Sequence, residues 1–301
     1  MIALSYEHSR YRFHSEATAI FPRRHDATKI LARPHTPHDT PTPQRRSAPG
    51  PPERELTMPA LHGAVVLVTG ANGGIGTHFV HDALARGASK VYASARNPRE
   101  WDDERIVPLT LDVTDGASIA AAVAAAPDVT VLVNNAGASV SSPGILSHTD
   151  EEIRSNVETN FLGPLFLARA FAPVLVANGS SVIVDIHSAL AWYAVSGIYS
   201  ATKAALWSAT NSLRIELAPQ GVHVVGVHVG YVDTAMAAHS TDPKLDPADL
   251  VRQVLDAVEA DEYEVLADQT SVQLKAALSA PLEALYPELA KTTTGTERAE
   301  A

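Results

Sequence analysis

The chain has 301 residues, of which 46% are hydrophobic and 19% charged, a balance that supports one large or two modest soluble domains. It contains no cysteine, which excludes disulfides, a thiolate nucleophile and cysteine-ligated metals. No apolar run approaches the roughly 20 residues needed to cross a bilayer, so we expect a cytoplasmic protein without a membrane partner. The net charge of −11 argues against nucleic acid as the main partner, because phosphate binding needs clustered Lys and Arg.

Residues 1–57 differ in composition from the rest of the chain. They hold 9 of the 23 basic residues, 6 of the 34 acidic residues and five of the 13 histidines, and they are rich in proline. Such a segment can bury little apolar surface, so we predict a disordered extension. A targeting leader is the alternative, but the apolar stretch of a secretory signal is missing and the acidic residues do not suit a transit peptide. Met58 would make a natural start site.

From residue 64 onward, strand and helix signals alternate, which is typical of a parallel sheet with helices on both faces. Strand-like apolar runs lie at 64–69, 90–95, 107–111, 129–133, 181–186 and 222–229, with a seventh candidate at 263–266. Helical stretches lie at 75–86, 117–125, 150–176, 198–217 and 247–260. The strands are continuously apolar, as burial on both faces requires. We predict an α/β fold with a Rossmann-type doubly wound parallel sheet of about seven strands, forming a single domain over residues 58–301.

A glycine-rich loop joins the first predicted strand to the first helix. Glycines let the chain turn tightly and let the backbone approach a pyrophosphate at the positive end of a helix. The strand before the loop and the helix after it are the context that such a nucleotide site requires. The predicted cofactor contacts in this loop are Gly70, Asn72, Gly73, Gly74, Ile75 and Gly76.

The end of the second predicted strand indicates which nucleotide is bound. A carboxylate at this point would bind the ribose 2′-hydroxyl, whereas an arginine accommodates a 2′-phosphate. No acidic residue is present here, and Arg96 follows the strand, so its guanidinium can hold a phosphate through paired hydrogen bonds. The alternative is a solvated arginine. NADP is therefore preferred over NAD.

Tyr199 and Lys203 are four residues apart in the predicted helix 198–217, so their side chains project from the same face. A nearby cation stabilises a phenolate, and we expect Lys203 to lower the pKa of Tyr199. A tyrosine of that kind can exchange a proton with a carbonyl or alcohol oxygen. Taken alone, such a pair more often marks an exposed helix face.

Further motifs follow in order along the chain. Asp112 and Val113 follow the third predicted strand, Asn134-Asn135-Ala136-Gly137 follows the fourth, and Asn160 lies in a predicted helix. With the glycine loop and the Tyr-Lys pair, they closely resemble the short-chain dehydrogenase/reductase family of the compact type over about residues 64–266. The resemblance implies further cofactor contacts at Asp112, Val113, Asn135, Ala136, Gly137, Tyr199, Lys203, Val232 and Thr234.

The same resemblance implies a catalytic tetrad of Asn160, Ser188, Tyr199 and Lys203 and an NADPH-dependent carbonyl reductase or alcohol dehydrogenase. Tyr199 would protonate the forming alkoxide, Ser188 would position the substrate oxygen, and Lys203 would also hold the nicotinamide ribose. Asn160 would hold a water that links Lys203 to solvent. His187 stands where the family usually has a serine, and the span from Ser188 to Tyr199 is shorter than usual. We interpret this span as a shortened loop.

Several alternatives stay open at this point. A structural or pocket-lining role is preferred for His187 over a rival acid–base role. A non-catalytic NADP-binding regulator would usually lack the tyrosine or the lysine, and an epimerase would need more than the 35 residues that follow Leu266. A scaffold that uses residues 1–57 would be an added role.

The resemblance places a mobile substrate lid at 235–246. The tail 269–289 has helical apolar spacing, and we expect it to cover this lid. It also implies a homodimer or homotetramer. No cluster of residues has metal-ligand spacing, so we expect no metal.

Overall fold

The computed structural model describes residues 61–139, 144–287 and 289, so the predicted extension 1–57 and Met58 lie outside the described residues. The seven strands are β1 Val65–Thr69, β2 Lys90–Ala95, β3 Ile106–Thr110, β4 Val131–Asn134, β5 Ser181–Ile186, β6 Val222–His228 and β7 Glu264–Leu266. They form one parallel sheet in the order β3-β2-β1-β4-β5-β6-β7. The prediction of a seven-stranded, doubly wound parallel sheet is confirmed.

Helices cover both faces of this sheet. They are α1 Gly74–Ala85, α2 Gly116–Ala125, α3 Asp150–Val157, α4 Gly163–Asn178, α5 Gly197–Leu217, α6 Pro247–Glu259, α7 Gln269–Ala277 and α8 Leu282–Leu285. α1 and α6 pack on one face, and α2, α4 and α5 pack on the other. Since the order of the strands reverses between β1 and β4, the loops at their carboxyl ends splay apart and leave a crevice there.

The long helix predicted at 150–176 is interrupted, which corrects that prediction. A π-helical turn, Glu158–Leu162, separates α3 from α4. Pro164 has no N–H group, so the Asn160 carbonyl cannot receive its α-helical hydrogen bond from that residue. The Gly163 N–H bonds instead to the carbonyl of Glu158, five residues earlier. Such turns occur frequently at functional sites.

The helical run Asp150–Asn178 is long and apolar enough to cross a membrane by length and composition, which corrects the expectation that no run approaches that size. The core helix of a soluble protein passes the same test. In α4, Leu167, Ala168, Phe171 and Leu175 are fully buried in the cluster that packs on the sheet. The buried side chains of this run therefore belong to the core of the domain.

The C-terminal tail is tied to loops at the carboxyl edge of the sheet. The Asp268 carboxylate accepts hydrogen bonds from Ser271 N at the start of α7 (2.8 Å) and from Gly230 N after β6 (2.6 Å). The Tyr286 hydroxyl accepts a bond from Ala194 N (3.0 Å), and its ring stacks on Tyr193. The tail therefore contacts the loop between Ser188 and Tyr199, while its predicted role as a cover for the lid 235–246 stays a prediction.

Candidate active site

The glycine loop between β1 and α1 has a backbone conformation that residues with a Cβ would not readily adopt. Gly70 and Gly74 have φ angles of +68° and +52°, in the left-handed region that favours glycine. A Cβ on Gly76 would lie 2.2 Å from the Gly70 carbonyl oxygen. No side chain caps the N-terminus of α1, so its first N–H groups are free to bind an anion such as a phosphate. This loop fits a dinucleotide.

The other predicted residues of the loop have separate roles. Gly73 is the N-cap residue of α1, in extended conformation, and Ile75 packs against the core. Asn135 braces the loop, because its side-chain amide donates to the Thr69 carbonyl at 2.7 Å. Its backbone N–H and that of Ala136 both donate to the Thr69 hydroxyl at 2.9 Å. The Asn135 side chain thus supports the cofactor loop instead of facing the cavity.

A cavity of 500 Å³ lies at the carboxyl ends of β1 to β4. Seven of the predicted cofactor contacts line it, namely Gly70, Asn72, Arg96, Asp112, Val113, Ala136 and Gly137. Hydrogen bonds from Thr114 hold the pKa of the Asp112 carboxyl below its usual range, and Arg96 adds to the effect. Among the described residues, no carboxylate lies within 4.0 Å of the Arg96 guanidinium. The cavity therefore offers a cation for a phosphate.

The predicted contacts after β6 lie at the other end of the glycine loop. Thr234 is next to Gly74, where a Cβ would be 3.3 Å from its methyl group. Val232 is buried in the core and pairs with Leu245 across the base of the segment 235–246. Thr234 is therefore placed beside the cofactor loop, whereas Val232 contributes packing.

Ser188, Tyr199 and Lys203 come together beyond the carboxyl end of β5. Burial of the Tyr199 hydroxyl raises the pKa of the phenol, and a hydrogen bond with the Ser188 side chain lowers it in part. Lys203 Nζ donates to the Ile186 carbonyl at 2.8 Å and lies 5.8 Å from the centre of the Tyr199 ring. The expectation that Lys203 lowers the pKa of Tyr199 is therefore wrong for this structure, because burial dominates and the ammonium bonds elsewhere.

Lys203 is itself strongly affected by its surroundings. The side chain is buried, and this burial lowers its pKa to about 8. An amine of that pKa exchanges protons close to neutral pH, which suits it to proton transfer.

Asn160 lies in the π-helical turn with both ends of its amide engaged. Its Oδ1 accepts from Ala138 N at 2.8 Å, and its Nδ2 donates to Ala138 O at 2.8 Å and to Asn156 Oδ1 at 2.9 Å. A Cβ on Gly137 would lie 3.4 Å from this Oδ1 and 3.9 Å from Lys203 Nζ. Both are ordinary van der Waals distances, so Gly137 lies beside the Asn160 and Lys203 side chains without separating them.

A buried polar network lies beneath Ser188, and sequence reasoning recognised only one of its members, His187. The ring of His187 contacts the Thr210 hydroxyl at 2.8 Å and the ring of His228 at 3.1 Å. Thr210 also contacts Asp185 at 2.7 Å, and His228 contacts the Ser188 carbonyl at 3.2 Å. The signal in the sequence was an aspartate and a histidine inside otherwise apolar strands. These contacts favour the structural interpretation of His187.

Among the residues that the structure describes, no group of three or more histidine, aspartate and glutamate side chains is arranged to hold a metal ion.

Comparison with known proteins places this site in a family. Residues 64–245 match the short chain dehydrogenase family. An uncharacterized oxidoreductase of Staphylococcus aureus (strain USA300) is 32% identical over 219 residues, which cover 67% of this chain and 93% of that protein. An NADP-dependent 3-hydroxy acid dehydrogenase of Schizosaccharomyces pombe is 27% identical over 240 residues, which cover 70% of this chain and 93% of that protein.

Solved structures agree with these matches. A short chain dehydrogenase from Burkholderia cenocepacia J2315 in complex with NADP superimposes with a TM-score of 0.71 and 36% identity, over 76% of this chain and 99% of that one. An NADPH-bound carbonyl reductase from chicken fatty liver superimposes with a TM-score of 0.61 and 27% identity, over 69% of this chain and all of that one. The chain therefore belongs to the short-chain dehydrogenase/reductase family of NAD(P)-dependent oxidoreductases.

Proposed function

We propose that this protein is an NADPH-dependent carbonyl reductase that interconverts a small carbonyl compound and its alcohol. The observation that carries the proposal is the convergence of three side chains beyond β5: Lys203 Nζ lies 5.8 Å from the centre of the Tyr199 ring on the same face of α5, and the Ser188 side chain is near enough to the phenol to lower its pKa. Two hydroxyls that meet in this way can both reach one carbonyl oxygen, which a substrate would place between them.

NADP is the cofactor that the binding cleft favours. The free N-terminus of α1 suits the pyrophosphate, and Arg96 lines the cavity where a carboxylate would otherwise select NAD. Relatives of solved structure bind NADP or NADPH. When bound, NADPH supplies a hydride, and the protein's own residues orient the reactants and manage the proton.

Tyr199 acts as the proton donor in the reductive direction. Because burial raises its pKa, the phenol is protonated at neutral pH and has a proton to give. Ser188 donates to the same substrate oxygen and fixes its position. Lys203, with a pKa of about 8, can return a proton to the phenolate left behind.

The proton supply to Lys203 runs through the backbone of Asn160. The side-chain amide already donates both of its N–H hydrogens, to Ala138 and Asn156, and its oxygen accepts from Ala138. The Asn160 carbonyl lacks its α-helical donor because Pro164 has no N–H. We therefore assign the water contact to this carbonyl.

The class of substrate and the oligomeric state are also proposals. The reductase and 3-hydroxy acid dehydrogenase relatives point to a small molecule with a ketone, aldehyde or secondary alcohol group. We propose a homodimer or homotetramer, because Ile215 on α5 is 77% exposed on a helix face that a second copy could cover. A cytoplasmic location and the absence of nucleic-acid or membrane partners stay predictions.

A panel of ketones and aldehydes, each offered with NADPH or NADH, tests the proposal. We expect turnover with NADPH, and we expect Tyr199→Phe to abolish it while NADPH still binds. Tyr263→Phe is the matched control, because that side chain is 54% exposed and lies away from the site. Activity retained in Tyr199→Phe would refute the assignment, and NADPH binding without any turnover would favour the regulator.

A further inference from the structure

Four buried polar side chains form a chain of contacts beneath Ser188, running from Asp185 through Thr210 and His187 to His228. Their exposures are 1%, 0%, 2% and 0%, respectively, so they are shielded from bulk solvent. The chain ends on the Ser188 carbonyl at 3.2 Å from His228 Nδ1. His187 fits because the facing strand carries Gly226, where a Cβ would lie 2.7 Å from the imidazole ring.

The Ser188 carbonyl oxygen is the last acceptor of this chain of contacts, and it determines the direction of every hydrogen bond in the chain. A carbonyl oxygen only accepts, so His228 Nδ1 must carry a hydrogen. If His228 is neutral, its Nε2 has a lone pair and must accept from His187 Nδ1, 3.1 Å away. His187 Nε2 then accepts from the Thr210 hydroxyl at 2.8 Å. The Leu206 carbonyl is also 2.8 Å from the Thr210 hydroxyl, but if it took the single hydrogen, His187 Nε2 would face a lone pair; Asp185 must therefore be protonated and donate to Thr210 across 2.7 Å.

Every other assignment of hydrogens is less favourable. Each one either sets two lone pairs against each other or places a positive charge on one of the two buried imidazoles. Among the described residues, Asp185 has no cation within 4.0 Å; its other oxygen, Oδ1, accepts from the Asn134 amide at 2.8 Å. A buried carboxyl without an ion-pair partner is more stable in its neutral form.

The charges that surround the chain of contacts agree with neutral imidazoles. Burial lowers the pKa of His228 to about 3; the bond to the Ser188 carbonyl opposes this shift, and the charges of Lys275, Arg214 and Lys203 add to it. Glu264 approaches His228 Nε2 at 3.7 Å, but its carboxylate is paired with Lys275. Burial likewise lowers the pKa of His187 well below its usual range. Burial raises the pKa of Asp185, although Lys203 and Arg214 offset part of this effect.

We propose that Asp185 is protonated, that His187 and His228 are both neutral Nδ1–H tautomers, and that His228 is thereby a positioning residue for Ser188. His228 holds the serine by its carbonyl and stacks on Trp192, with ring centres 3.7 Å apart and an angle of 16°. Trp192 lies in the loop that leads from Ser188 to Tyr199, so one imidazole fixes two points of this loop. The positioning role rests on the proposed function of Ser188.

The tautomers are measured without any turnover, by long-range ¹H–¹⁵N correlation of the full ¹⁵N-labelled chain between pH 8 and pH 5.5. We expect His187 and His228 to show a protonated Nδ1 and an unprotonated Nε2 throughout this range. His187→Asn and His228→Asn assign the signals. An imidazolium signal or an Nε2–H tautomer at either residue would overturn the proton arrangement, whether or not the protein reduces carbonyls.

The positioning role is measured by kinetics of two substitutions at the same residue. His228→Leu removes the donor to Ser188, whereas Asn in its place can keep a side-chain N–H near the position of Nδ1. We expect kcat to fall about 10- to 100-fold in His228→Leu and only a few-fold in His228→Asn, with unchanged NADPH affinity, since a small misplacement of a catalytic group is costly.

His223→Leu is the matched control, because His223 lies on the same strand but contacts Glu262 and Asp261 at its opposite end. Equal kcat values for His228→Leu and the parent protein would refute the positioning role. If His228→Leu does not fold, the Asn variant decides, because a loss of kcat as large as 100-fold despite its N–H would also refute it.

Discussion

Gly76→Ala is the substitution for which the structure gives the most defined cost. The new Cβ would lie 2.2 Å from the Gly70 carbonyl oxygen and 2.9 Å from Asn135 Nδ2. Ordinary carbon–oxygen contacts are longer by about 1 Å, so the Gly70 peptide must move by roughly that distance. Such overpacking typically costs about 1–3 kcal/mol of stability.

The displaced peptide also belongs to the surface that faces the cofactor. Asn135 braces the loop through the Thr69 carbonyl at 2.7 Å, and this bond is the first to be strained when Gly70 moves. We expect NADPH affinity to fall about 100-fold, because a shift of about 1 Å in a preorganised site has effects of that size. Calorimetric titration with NADPH and a thermal melt measure the two effects separately.

Gly116→Ala is the matched control for this experiment. Gly116 begins α2, and a Cβ there meets nothing within 4 Å, so affinity should stay at the parent value and the melting temperature should stay the same or rise slightly. NADPH affinity in Gly76→Ala within a few-fold of the parent would refute the steric argument. An equal loss in Gly116→Ala would show that the effect is not specific to the loop.

Three other substitutions test the cofactor site, the lysine and the core. Arg96→Ala should weaken NADPH about 10- to 100-fold and NADH little, with the exposed Arg154→Ala as the control in the same titration. Lys203→Met should abolish turnover yet stabilise the protein at pH 7 by up to about 3 kcal/mol, because the charged form of this lysine, whose pKa is lowered to about 8, is penalised by burial. In denaturant titrations the extra stability of Lys203→Met should be fully present below pH 8. It should shrink as the pH rises from 8 toward 10.5, because in this range the folded lysine loses its proton whereas the unfolded lysine keeps it. Phe171→Ala should cost about 3–5 kcal/mol in urea unfolding, whereas the exposed Leu282→Ala should change stability by less than about 0.5 kcal/mol.

The sheet could be predicted from the sequence because its strands are buried on both faces. β2 and β5 begin and end where the continuous apolar runs do, and the glycine loop is recognisable because its strand and helix flank it. The order of the tetrad motifs was also visible. These features depend on residues that are close together along the chain.

Features that depend on tertiary contacts could not be predicted in the same way. The π-helical turn at Asn160 follows from Pro164, a residue that is also acceptable near the start of an ordinary helix. The pKa of Tyr199 depends on how deeply the hydroxyl is buried, and the bond from Lys203 to Ile186 depends on where β5 ends. His228 lies 40 residues from the serine whose carbonyl it contacts.

The carboxylate of Asp268 couples the C-terminal tail to the cofactor cleft through hydrogen bonds. It joins the first turn of α7 to the backbone of Gly230, and four residues after that glycine Thr234 touches the glycine loop. If α7 moved, the two hydrogen bonds of Asp268 would therefore also shift Gly230 and the turn that borders the dinucleotide. We therefore expect that shortening the tail, or displacing it with a bulky tag, weakens the binding of the nucleotide as well as that of the substrate.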